Sequence, residues 1–248
     1  MREAMRQEAE LESGQLERAG RVGGVFGNRT DTVHAAHDVD VVLSVGAVLA
    51  ALGAALLILI HLGNAVFLDA LVLNANGEAT VWTWASVVAA AAVAQGAILR
   101  AVLVRAGRRM FIALALSAGF LSLDDLTVLH ESVIGRVLPQ LGLSDSWDSV
   151  LWPVLYLPVL GVTVLLLLVI ARDSPARTRR FILAGLALLA LAILLEIGSA
   201  PWSGAEENTV HTIEGAFEEA AELAGWILLA AAVLAGALRD VIVQARER

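Results

Sequence analysis

Six apolar runs, at 41–60, 81–100, 110–129, 151–171, 181–200 and 211–238, constrain this chain more than any other feature. A helix rises about 1.5 Å per residue, so about 20 residues cross the ~30 Å hydrocarbon core of a bilayer. Inside that core each backbone N–H and C=O must be satisfied within its own segment, which selects helices over open sheets. The expected fold is therefore all-α, an integral membrane bundle of six transmembrane helices. Composition agrees: 58% of the 248 residues are hydrophobic. The expected organisation is a polar tail over 1–40, partly helical or without fixed structure, a six-helix domain over 41–240, and a short C-terminal tail over 241–248.

Charge placement gives the bundle a direction. Arg100, Arg105, Arg108 and Arg109 fall between the second and third runs, and Arg172, Arg177, Arg179 and Arg180 between the fourth and fifth. Five more arginines precede the first run and three follow the last, so 16 of the 17 basic residues lie on one side and only Arg136 on the other. Short basic loops stay cytoplasmic. Both termini are then expected to be cytoplasmic. Trp82, Trp84, Trp147, Trp152 and Trp202 fall at the opposite ends of the runs, where an aromatic belt belongs, and Trp226 lies within a run. The expected location is the plasma (inner) membrane of a prokaryote, a reading helped by the complete use of arginine over lysine.

Several function classes drop out. The chain has no cysteine, which removes disulfides, thiolate metal sites and cysteine nucleophiles. A net charge of −8 argues against a nucleic-acid partner. The sequence has no phosphate-binding glycine loop and no nucleophile elbow.

What remains is a set of ionisable residues inside the apolar runs, where charge is costly and is kept for a purpose. The third run carries Asp124, Asp125, His130 and Glu131, the fifth Glu196, and the sixth His211, Glu214, Glu218, Glu219 and Glu222. On one continuous helix Asp124, Thr127 and Glu131 would share a face, as would His211, Glu214, Glu218 and Glu222. Counted from the basic end at 1.5 Å per residue, Asp124, Glu196 and Glu222 lie at about 21, 22 and 24 Å, a single level. His61, His130, Glu131 and Glu218 form a second tier at about 30 Å. The expectation is an acidic cup with histidines around it, opening to the outside.

Crowded carboxylates in a low dielectric repel one another and need neutralising. Divalent metal would do this with carboxylates and neutral imidazoles together, as helical bundles with inward Glu and Glu-x-x-His sets do for paired iron or manganese. The candidate metal ligands are Asp124, His130, Glu131, Glu196, His211, Glu214, Glu218 and Glu222, with Glu131 or Glu219 as candidate general base. The cofactor would be one or two divalent ions: iron, manganese or zinc. The function expected is a metal-dependent enzyme, either a di-metal oxidoreductase or a zinc hydrolase. Its substrate would be amphiphilic, lipid-like or a quinone, drawn from the bilayer. A proton- or metal-coupled transporter or sensor, and a non-catalytic scaffold, are the alternatives. Blander roles were weighed for others: Gln95 and Thr163 as interhelical hydrogen-bond partners, His61 as an interfacial residue, and Glu206 and Glu207 as solvated loop residues.

The segments "LSLDD" and "HE", followed by "EGAFEEAAEL", resemble a motif pair of uncharacterised bacterial multi-pass membrane proteins, a likeness that implies no activity. His61, His130, His211, Asp124 and Ser122 are also similar to the zinc set of alkaline ceramidase-like membrane hydrolases. That likeness implies zinc held by histidines beside an aspartate and a serine. The HxxxH pair of those hydrolases is missing, and six runs stand where seven would be expected.

Overall fold

The computed structural model describes residues 37–68, 70–74, 80–105, 107–143, 147–199 and 209–247. The chain divides into two compact units, 1–40 and 41–248; only 37–40 of the first are described, and the second is the subject here. Seven helices make up the architecture, with no strand among the described residues: α1 (His37–Phe67), α2 (Val81–Leu103), α3 (Arg108–Thr127), α4 (Leu129–Leu141), α5 (Asp148–Asp173), α6 (Ala176–Ser199) and α7 (Thr209–Glu247). All but α4 are long and apolar enough to cross a membrane. This is a multi-pass membrane protein. Large side chains such as Leu59, Val88, Leu116, Leu165 and Leu194 point outward and are exposed, as lipid-facing residues must be.

Without water to drive helices together inside lipid, close backbone approach has to do so, and small residues permit it. The alanine-rich α2 buries Ala89, Ala90, Ala94, Ala97 and Ala101 in the central core with Leu114 and Phe111 of α3 and Leu229, Ala232 and Val233 of α7. Glycines mark the tightest crossings. A Cβ added at Gly46 of α1 would run into the Ala231 Cβ of α7, and one at Gly185 of α6 would lie 2.9 Å from the Gly225 carbonyl oxygen of α7. Helix α7 is thus the post that α1, α2 and α6 share.

The basic end is closed by polar contacts. Arg100 Nε donates to Asp240 Oδ2 at 2.8 Å while its guanidinium lies 4.3 Å from the centre of the Phe111 ring. Gln244 donates to the Leu103 carbonyl, and Arg177 to the Ser44 hydroxyl at 2.8 Å. At the opposite end Asn64 clasps Ala70, accepting from its N–H at 2.8 Å and donating to its carbonyl at 3.0 Å, and the Trp82 indole donates to the Leu73 carbonyl. Two expected interhelical partners turn out otherwise. Thr163 is buried but donates to Val159 of its own helix, and Gln95 is exposed. A hydroxyl one turn from a carbonyl satisfies itself locally.

Candidate functional site

The third apolar run is not one helix. It ends at Thr127, passes through Val128 in the left-handed conformation (φ 54°, ψ 37°), and restarts as α4 at Leu129. A β-branched residue rarely adopts positive φ, and such strain costs about 1–3 kcal/mol, held in place by its surroundings. Thr127 donates its hydroxyl one turn back to the Leu123 carbonyl at 2.7 Å.

The break decides which side chains meet. Six residues apart on a continuous helix, Asp124 and His130 would be about 120° apart around the axis. With the chain turned at Val128, His130 Nδ1 comes within 2.9 Å of Asp124 Oδ2. From α5 the Tyr156 hydroxyl donates to Asp124 Oδ1 at 2.6 Å. Asp124 is buried, at 5% exposure, and so is Tyr156. The His130 ring packs against Trp152, with centres 5.4 Å apart, and edge-on to Tyr156.

Asp124, His130 and Trp152 line a cavity of about 150 Å³ among α2, α3, α4, α5, α6 and α7, with Tyr156 behind Asp124. Among the described residues six carboxylates line it, Asp124, Asp125, Glu196, Glu218, Glu219 and Glu222, and one basic side chain, His130. Glu196 accepts from the Trp152 indole, and Glu222 from the Trp226 indole at 3.1 Å. Glu222 also feels the charge of His130, while Glu218 faces Glu196, Glu214 and Glu219. Leu121, Leu160, Leu189 and Ile193 supply an apolar wall.

Asp124, Glu196 and Glu222, expected at one level from three different runs, therefore stand in the same wall, with His130, Glu218 and Glu219 beside them. Other candidates are placed elsewhere. Glu131 follows the break on α4 and is exposed, so it does not share the Asp124 face, and Thr127 is exposed too. Glu214 lies one turn before Glu218 and interacts with it without lining the cavity. The side chain of His211 lies outside the described residues, as do Trp202, Glu206 and Glu207. His61 is buried and bonded at 3.0 Å to the Thr212 carbonyl, and Ser122 donates to the Val87 carbonyl at 2.9 Å, so neither lines the cavity. Among the described residues, no three His, Asp or Glu side chains converge closely enough as placed to hold one metal ion.

Tyr156 and Trp152 are partners of the cavity acids that sequence reasoning missed. Tyr156 is the chain's single tyrosine and sits in an otherwise apolar run. A buried phenol needs a partner, so that isolation was a signal for an acceptor on another helix.

No curated protein and no solved structure matches the chain. The model of a family described as a domain of unknown function, DUF8692, matches residues 42–237, the stretch that holds all six spans apart from their outermost turns and the whole cavity wall. On that match the chain belongs to the DUF8692 family.

Proposed function

We propose that the cavity binds divalent metal and that the protein is a metal-dependent membrane enzyme acting on an amphiphilic substrate. The observation that carries this reading is the wall itself: six carboxylate residues and one histidine around about 150 Å³, with no arginine among them. Crowding that many carboxylates together is unfavourable, and a divalent cation offsets two charges at once. Asp124 accepting from His130 Nδ1 is the arrangement that orients an imidazole to present Nε2 to a metal. Tyr156, donating to the other Asp124 oxygen, holds that carboxylate in turn. Glu196, Glu218 and Glu222 complete the donor set, and ligation requires their side chains to rotate toward His130. Iron or manganese would supply redox chemistry there, and zinc would acidify a bound water. Glu219, which lines the cavity, is the general-base candidate over the exposed Glu131. The apolar wall of Leu121, Leu160, Leu189 and Ile193 suits an alkyl or isoprenoid portion. The arginine-rich end would be cytoplasmic and the cavity would face outward.

A second reading has specific support. His130 is bonded to Asp124 and within electrostatic reach of Glu222, as Glu218 is of Glu196 and Glu214, so neighbouring groups could exchange protons. That is the layout of a proton-coupled sensor or transporter.

Metal content of detergent-purified protein, measured by plasma mass spectrometry beside the Asp124→Asn/Glu222→Gln double variant, separates the two. Near-stoichiometric iron, manganese or zinc that falls at least tenfold in the variant is the expected result. Absence of metal from the wild-type protein after purification with each ion present overturns the enzyme reading and leaves the proton-linked one.

A further inference from the structure

At the end of the bundle away from the cavity, two connections carry most of the positive charge, and both are tightly built. Between α2 and α3 the Val104 N–H donates to the Arg100 carbonyl at 2.8 Å, and Gly107, at φ 76°, starts α3. Between α5 and α6 the Ser174 hydroxyl donates to the Ile170 carbonyl at 2.7 Å and the Arg179 N–H to the Pro175 carbonyl at 2.9 Å. Arg105, Arg108 and Arg109 project from the first corner and Arg172, Arg177, Arg179 and Arg180 from the second; all seven are exposed, as is Arg239 on α7. The described acids toward this end of the helices are Asp38 and Asp40 in the first turn of α1 and Asp173, all exposed, and Asp240, engaged by Arg100.

Arg100 closes the α2–α7 contact and Arg177 donates to Ser44 of α1. The helices above these corners are apolar enough to cross a membrane, so the arginines stand where headgroups begin. Every basic group here is a guanidinium, which pairs with phosphate through two parallel N–H donors. We propose that these two corners form a collar that binds the phosphate headgroups of anionic lipids and retains such lipids around the bundle. This inference does not depend on the chemistry of the cavity.

The test uses full-length protein in nanodiscs made either of phosphatidylcholine alone or with one-third phosphatidylglycerol. Lipid carried into the gas phase is then counted by native mass spectrometry. Phosphatidylglycerol is expected to be enriched several-fold over its share of the bilayer, with the enrichment shrinking in 0.5 M salt as surface charge is screened. Arg108→Gln/Arg109→Gln/Arg179→Gln/Arg180→Gln should lose most of it, the corresponding four lysine substitutions should lose less, and Arg136→Gln should lose none. Unchanged elution and helix content establish that the glutamine variant is folded. Equal retention of the two lipids, or a folded glutamine variant that keeps its enrichment, overturns the proposal. Displacement of the bound lipid by millimolar inorganic phosphate would show that the collar takes free phosphate instead and would likewise overturn the lipid assignment.

Discussion

At one end of the bundle Arg100 meets Asp240 at 2.8 Å and lies over the Phe111 ring, whereas at the other six carboxylate residues share a cavity wall with one histidine. The contrast is between charge spent on the fold and charge held for something else. Arg100 has its counter-ion, and its neighbouring arginines are exposed, where charge costs little. Asp124, by contrast, is buried with two donors, His130 and Tyr156, in a wall that carries five further carboxylate residues. A fold needs a buried ion pair only weakly, and it gains nothing from an excess of one sign.

The largest loss should come from neither end but from the post that joins them. Gly185→Leu would press a side chain into Leu229 and the Gly225 backbone, so α6 must move away from α7. A loss of about 3 kcal/mol is expected, read as the unfolding midpoint in detergent. If stability is unchanged, the two ends are held together in some other way.

Next, Asp124→Ala removes the acceptor of the buried Tyr156 hydroxyl and of the half-buried His130, which should cost about 2–3 kcal/mol and, on the metal reading, the bound ion as well. Tyr156→Phe sharpens this result. It leaves the His130 contact in place, so it should cost about 1 kcal/mol and only part of the metal affinity. Metal loss as complete as in Asp124→Ala would mean that the phenol, not His130, is the essential partner.

Arg100→Gln should be milder than Asp124→Ala, about 1–2 kcal/mol, because the contact is only partly buried and Asp240 can turn to water. A greater loss here than at Asp124 would reverse the comparison, making the basic end the structural keystone. The smallest effect is expected at Glu131→Gln, under about 0.5 kcal/mol with metal content unaltered, since that side chain is exposed past the break. Metal loss in this variant would return Glu131 to the site.

Spans were easy to read because hydropathy over about 20 residues is a local property. Each expected run falls within or close to an observed helix, although α1 extends to Phe67 and α7 to Glu247, beyond the apolar stretches themselves. Counting residues along rigid helices put Asp124, Glu196 and Glu222 at one level, and they line one cavity, but so do His130 and Glu218, which the count put a tier higher. Rotation was not legible. The turn at Val128 has no glycine or asparagine to announce it, and it displaced Glu131 from the face on which a continuous helix would have put it.

The sequence by itself determined a helical membrane bundle with its basic residues gathered at one end and its acids within the spans, because bilayer thickness and the cost of buried charge act residue by residue. Only the tertiary structure decided that His130 pairs with Asp124, that Tyr156 completes the pair, and that Glu131 and His61 stand apart from the cavity. Those outcomes depend on one backbone torsion and on how neighbouring helices rotate against one another. Contacts between distant segments set both, and no local pattern encodes them.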